Sequence, residues 1–189
     1  MQPFVLESPR LRLEVPRTAD TVAIHDCCQD EELQRFTTVP VPYTFGDAQF
    51  FVSQIVERGW LTGREYTWGL RLPGSDVLVG MISIRLRDRD VGFWLAADLR
   101  GRGLMTEALR LVADWAFSEG LDDVLWEGYV GNLGSAGVAR KAGFTYTGTG
   151  PGLQPDRDRG HPQCWKARLG RDDDRTEKAG WPPETRGAV

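Results

Sequence analysis

The sequence predicts a single α/β (α+β) domain in which a mixed sheet carries helices on its faces. Two strand-like runs are joined by Pro73-Gly74-Ser75-Asp76, turn chemistry that marks an antiparallel hairpin. Leu104, Ala108, Leu111, Val112 and Trp115 recur at helical spacing, so the chain then leaves the sheet for an amphipathic helix. Strand-like and helical runs follow one another from there to Leu169. A chain of 189 residues holds one domain with a substantial core and is too short for two comfortable ones.

Taken in order, Arg10 to Val15 sets Leu11, Leu13 and Val15 against polar neighbours and reads as a strand. Thr18 or Asp20 can cap a helix running through Ile24. Pro40 and Pro42 forbid a regular helix, which makes Val39 to Tyr43 an extended loop. Asp47 opens a second helical stretch with Phe51, Ile55 and Val56 on one face. The hairpin strands are Tyr66 to Leu72 and Val77 to Arg87, and Asp90 to Leu95 is a third strand. The amphipathic helix spans Leu104 to Phe117, with Gly120 as its stop. A strand over Asp123 to Val130 precedes a helix from Leu133 to Ala142, closed by Gly143. Gly134 and Gly137 weaken that helix by about 1 kcal/mol each. Strands Phe144 to Thr149 and Gln163 to Leu169 flank a polar loop. Residues 1–170 therefore form the domain. Residues 171–189 are charged and aperiodic, and a disordered tail is expected there, with Trp181 as its one anchor candidate.

Acidic residues outnumber basic ones, 27 to 23, so a broad basic surface for nucleic acid is not expected. No apolar run approaches the roughly 18 residues that suggest a membrane span, and the first residues lack a signal-peptide pattern. Neither nucleic acid nor membrane is an expected partner. Cys27 and Cys28 are adjacent and Cys164 is distant, which suggests reduced thiols in a cytoplasmic protein and small buried side chains. No cluster suggests a metal, and no Ser/His/Asp or Cys/His set suggests a covalent intermediate. His25 and His161 stand alone and read as structural or surface residues.

The chemistry concentrates in Arg100-Gly101-Arg102-Gly103-Leu104-Met105-Thr106, which joins a strand to the amphipathic helix. The two glycines permit backbone conformations that side chains block. The loop feeds a helix N-terminus, whose unpaired N–H groups and positive dipole end favour phosphate. Arg100 and Arg102 add positive charge beside it. The bland reading is an ordinary strand-to-helix turn with solvated arginines. The loop matches neither the GxxxxGK[ST] phosphate loop nor the GxGxxG dinucleotide fingerprint. The antiparallel strands before it also disfavour a dinucleotide-binding dehydrogenase.

This loop resembles the [QR]-x-x-G-x-[GA] pyrophosphate loop of the GCN5-related N-acetyltransferase (GNAT) superfamily, in its RimJ/RimL-like branch. Met105 departs from the final small residue of the general pattern. Ser8-Pro9-Arg10-Leu11-Arg12-Leu13, Val41-Pro42-Tyr43-Thr44, Val91-Gly92-Phe93-Trp94-Leu95, Asn132-Leu133-Gly134-Ser135 and Lys141-Ala142-Gly143-Phe144 resemble further segments of that branch in the same order. The resemblance implies one mostly antiparallel central sheet with helices on both faces, splayed between residues 90–95 and 123–130. It implies acetyl-CoA or another short acyl-CoA as donor, no metal, an amine acceptor and a possible homodimer. Trp94, Leu95 and Ala96 would line the pantetheine arm. Asn132 would hold that arm or cap the helix, and Lys141 would reach cofactor phosphate or be solvated, with Arg140 solvated. Ser135 would be the general acid to the departing thiolate, or a helix hydrogen-bonding residue.

The reaction implied is direct attack of a neutral amine on the thioester. A peptide α-amine with a pKa of about 7.7–8.0 needs little help, whereas lysine near 10.4 needs roughly 2–3 units. The sequence offers no clean base. Glu127, on a strand face with Leu125 and Tyr129, can act through water or be a paired carboxylate. Asp90 at the start of the strand beside the cleft is a second candidate and Asp156 a third. Tyr129 and Tyr146 read as packing residues. A different class of function, an acyl-CoA-binding sensor without turnover, stands as the alternative.

Overall fold

The computed structural model describes residues 2–187. Eight strands form one sheet: β1 (Leu6–Glu7), β2 (Arg12–Glu14), β3 (Glu65–Arg71), β4 (Gly80–Arg85), β5 (Asp90–Leu95), β6 (Asp123–Tyr129), β7 (Thr145–Pro151) and β8 (Gln163–Gly170). Their spatial order is β1-β2-β3-β4-β5-β6-β8-β7. Every neighbouring pair is antiparallel except β5 and β6. The parallel pair follows from the connection, because α5 (Leu104–Ser118) carries the chain over one face and returns it in the same direction.

Strand alternation divides the core into two layers. Trp68, Leu70, Ile82, Ile84 and Val91 pack with Leu109, Val112 and Ala116 of α5, while Met81 and Leu78 pack with Ile24, Leu33, Ala48 and Val52. The second layer is built by α1 (Thr21–Cys27), α2 (Glu31–Phe36) and α3 (Phe45–Phe50), and α3 runs on through a π-helical stretch, Phe51–Val56, into α4 (Glu57–Thr62). Helices thus cover both faces. Thr44 and Asp47 cap α3 reciprocally, so that helix begins before the expected Asp47. Two short elements, β1 and α2, were not expected. Strand β4 begins at Gly80, three residues after the predicted start, because Val77 is exposed and leaves the ladder.

The segment after Gly170 corrects the expectation of disorder over its described part. Residues 171–187 fold back over α5 and α6 (Leu133–Ala142). Trp181 is 2% exposed, its ring lies 5.7 Å from those of Trp126 and Tyr146, and its indole N–H donates to the Phe144 carbonyl at 3.1 Å. Arg175 pairs with Asp114 at 2.9 Å, and Arg140, expected in solvent, is buried and pairs with Glu177. One large aromatic and several ion pairs hold a segment whose composition alone looks unfoldable. Residues 188 and 189 lie outside the described residues.

Candidate active site

The strands β5 and β6 pair only at their starts, Asp90 with Leu125 and Val91 with Trp126. Beyond Val91 they separate, and a cleft opens between Gly92–Leu95 and Glu127–Tyr129. The Leu125 N–H donates to the Arg89 carbonyl at 2.7 Å, so alternation turns the backbone groups of Phe93 and Leu95 into the gap. The Ala96 N–H points the other way and donates to Val79. The chain thus presents an open strand edge, which can pair with amide groups of an extended ligand.

The cleft has a volume of about 350 Å³. Trp94 and Leu95 form one wall, and Gly101, Gly103, Leu104, Met105 and Thr106 form its end. Asn132, Ser135, Val138 and Lys141 of α6 and its cap form the opposite wall, and Leu33, Phe36 and Thr37 close it from α2. Arg100 also borders it, whereas Ala96 and Arg102 do not. The sequence-expected cofactor residues are therefore gathered with those two exceptions.

At the closed end, Gly101 and Gly103 take φ of 76° and 73°, a region costly for other residues. Gly103 starts α5 with no side-chain cap, and the first backbone bond into this turn is Glu107 N–H to the Gly103 carbonyl at 3.1 Å. The N–H groups of Leu104, Met105 and Thr106 are left to face an anion, aided by the helix dipole. Arg10, in the turn between β1 and β2 rather than in the expected strand, clamps the loop, with Nη1 donating to the Arg102 carbonyl at 3.1 Å and Nε to Glu107 at 2.7 Å. Burial works to raise the Glu107 pKa, but hydrogen bonds from Ser8 and Arg10 and the Arg10 charge outweigh it and hold the carboxyl low.

Both loop arginines, expected beside the phosphate, meet protein acceptors. Arg100 donates to Asp30 at 2.7 Å, Glu32 at 2.8 Å and the Leu95 carbonyl at 3.1 Å. It ties α2 to the loop. Arg102 lies exposed and donates to the Asp98 carbonyl at 2.9 Å. Both guanidiniums are thus engaged by protein acceptors, and the uncapped backbone N–H groups at the start of α5 remain open to an anion.

Ser135 sits in the first turn of α6. Its N–H donates to the Asn132 side-chain oxygen at 3.1 Å, and its Oγ accepts from Trp126 Nε1 at 3.1 Å. The Asn132 oxygen caps the helix, leaving its NH₂ for the cleft. Glu127, within β6, accepts from the Leu153 N–H at 2.8 Å, with Lys166 Nζ 3.9 Å away, and does not line the cleft. Asp90 is not at the cleft. It is 1% exposed, binds Arg85 in a two-pronged ion pair, and starts the strand whose other end lines the site. Asp156 spends one oxygen on the Asp158 and Gly160 N–H groups, closing its own loop. His161 fastens the same loop through the Gly152 carbonyl at 2.7 Å. Burial pushes the Cys28 thiol up to about 12 and, with Glu127, the Cys164 thiol up to about 11, so both are neutral packing groups.

Sequence reasoning missed the α2 wall and Trp126. The signal for α2 was present in Asp30-Glu31-Glu32, an N-cap with an acidic first turn, and Asp30 does accept from the Leu33 N–H at 2.7 Å. Trp126 carries no local motif, and its side-chain hydrogen bond is to a residue nine positions on.

Among the described residues, no helix is long and apolar enough to cross a membrane. Residues 10–145 match the model of the acetyltransferase (GNAT) domain. The chain is 38% identical over 87 residues to a Bacillus subtilis (strain 168) protein named "Probable N-acetyltransferase YjcK", a match covering 42% of this chain and 48% of that one. The match thus spans about half the length of that relative. Among solved structures, Mycobacterium smegmatis RimJ in complex with CoA-disulfide superposes with a TM-score of 0.75 at 19% identity, covering 91% of each chain. RimL, a ribosomal L7/L12 alpha-N-protein acetyltransferase in complex with coenzyme A, gives 0.76 at 19% identity, covering 90% of this chain and 100% of that one. With its splayed sheet, its uncapped glycine turn and a family match over residues 10–145, the chain belongs to the GNAT acetyltransferase family.

Proposed function

We propose that this chain is an N-acyltransferase moving an acetyl group from acetyl-CoA to an amine, with a protein N-terminal α-amine as the preferred acceptor class. The observation that carries the proposal is the open edge of β5 beyond Val91, lying between the uncapped start of α5 and Ser135. In this reading the α5 N–H groups and their dipole hold the donor pyrophosphate. The backbone of Phe93, the Leu95 N–H and the Asn132 amide hold the extended arm, the Leu95 carbonyl being taken by Arg100, and Lys141 stands at the cleft wall as a cationic contact. The neutral amine attacks the thioester carbonyl. A C–N bond forms, the C–S bond breaks, and its electron pair goes to sulfur. The Ser135 hydroxyl gives its proton to that sulfur, and the proton lost by the amine passes through water and Glu127 to restore the hydroxyl. Asp90 has no part, because Arg85 neutralises it far from the thioester end of β5. A site with so little base suits an amine that is already partly neutral at pH 7, which favours α-amines over lysine.

The alternative reading, a donor-binding sensor, draws on the same engagement of Asp90 and Glu127. Titration calorimetry with acetyl-CoA and succinyl-CoA, followed by thiol release with peptides of differing first residue, tests both. Binding with thiol release that depends on a free peptide α-amine supports the transferase. Binding with no acceptor-dependent release supports the sensor, and no binding overturns the cleft assignment.

A further inference from the structure

We infer that Trp126 is the positioning residue for the acid, holding the Ser135 hydroxyl so that its proton points into the cleft and its oxygen is stabilised when that proton leaves. The inference rests on the assignment of Ser135 as the acid. Trp126 is 2% exposed, and its Nε1 lies 3.1 Å from Ser135 Oγ. An indole N–H is a donor only, so within this pair the serine oxygen must accept. The hydroxyl proton is then directed away from Trp126, and Ser135 lines the cleft. As the Oγ–H bond breaks and the S–H bond forms, the electron pair left on Oγ faces a fixed donor that needs no reorganisation. The ring itself is locked. A Cβ on Gly128 would come within 2.6 Å of Trp126 Cζ2, so only glycine there clears space for the indole. Trp181 packs against it in a tilted contact, with centroids 5.7 Å apart at 51°. The C-terminal segment therefore backs a side chain that touches the proposed acid.

The test compares Trp126→Phe, which keeps the ring packing and removes the N–H, with Ser135→Ala and the double variant. Turnover uses acetyl-CoA and the fastest peptide of the α-amine panel. Loss of a general acid lowers kcat about 100-fold in Ser135→Ala. Trp126→Phe is expected to lower kcat about fivefold to tenfold, the value of one hydrogen bond, with the acetyl-CoA KM unchanged. In the Ser135→Ala background, Trp126→Phe should have no further effect. A second readout needs no acceptor: the thiol introduced by Ser135→Cys is titrated by its alkylation rate, with mass mapping to separate it from Cys27, Cys28 and Cys164. Its pKa should be about one unit lower with Trp126 present than with Trp126→Phe. Unchanged turnover in Ser135→Ala sinks the acid assignment and with it the positioning role that rests on it. Slow Ser135→Ala with wild-type turnover in Trp126→Phe, or equal thiol pKa values, overturns the positioning role.

Discussion

At the scale of single residues, neighbours decide role more than residue type does. Asp90 and Glu127 are both strand carboxylates, on β5 and β6, yet Asp90 is locked by Arg85 away from the cleft while Glu127 accepts from the Leu153 N–H. Asp90→Asn should therefore act on stability. It leaves Arg85 only the more distant Glu65, 3.6 Å away, as a charged partner, and is expected to cost about 2–3 kcal/mol, toward the low side for a buried pair because Arg85 retains some solvent. Urea denaturation measures the loss, and unchanged kcat in the folded fraction confirms the assignment. Gly103→Pro is expected to abolish acyl-CoA binding, since proline fixes φ near −65° where the loop needs 73°. Calorimetric titration of the folded variant checks it, and retained affinity would remove the backbone cradle. Ser135→Ala carries a stability cost as well, because Trp126 is buried and its N–H loses its acceptor. About 1–3 kcal/mol is expected by denaturation, and Ser135→Cys should recover part of it. The glycine loop and Ser135 were legible in the sequence because they are local patterns. The roles of Trp126, Arg100 and Asp90 were not, since each depends on a partner that pattern alone does not supply.

At the scale of elements, the cleft is a difference between two strand pairings. Strands β4 and β5 stay in register over six residue pairs, whereas β5 and β6 share two. The order of elements was readable from periodicity, and β5 and α6 have the predicted bounds. Helix α2 was not predicted, because its six residues give too little periodicity and only its capping carboxylates announce it. Those carboxylates hold it to the loop. For Asp30, burial works to raise the pKa, but the Arg100 hydrogen bond, the Leu33 N–H and the Arg100 charge outweigh it, and the net direction is down. Glu107 moves the same way on the other side of the loop. A depressed carboxylate contributes stability that is present above the unfolded pKa and lost as pH falls through the folded one. The two clamps are therefore fully formed at neutral pH and weaken only below about pH 4. Near-ultraviolet circular dichroism should hold steady from pH 8 to 5 and change in that acid window. In Arg100→Ala, whose Asp30 loses its partner, the change should begin at higher pH.

At the scale of the whole molecule, the C-terminal segment joins the two halves of the proposed chemistry. It packs on α5, which begins at the proposed anion cradle, through Arg175 and Asp114, and on α6, which bears Ser135, through Glu177 and Arg140. Its charges made it look solvated from sequence, and composition gave no sign that Arg140 and Trp181 meet partners from opposite sides of the chain. A lone tryptophan among polar residues was the readable clue. Burying a Trp side chain fully is worth a large part of a small domain's net stability, and removing one from a core costs about 3–5 kcal/mol. A chain ended after Gly170 is therefore expected to lose at least that much, and Trp181→Ala nearly as much, because the ion pairs are mostly exposed and contribute little alone. Truncation also strips the backing from Trp126, so the shortened protein should bind acetyl-CoA with its cradle intact yet turn over more slowly. Urea midpoints for the full chain, the truncation and Trp181→Ala decide the stability claim, and kcat against acetyl-CoA KM decides the catalytic one. Equal midpoints in all three would return the segment to a solvated tail. A large stability loss with unchanged kcat would leave it a structural strap that Ser135 does not feel.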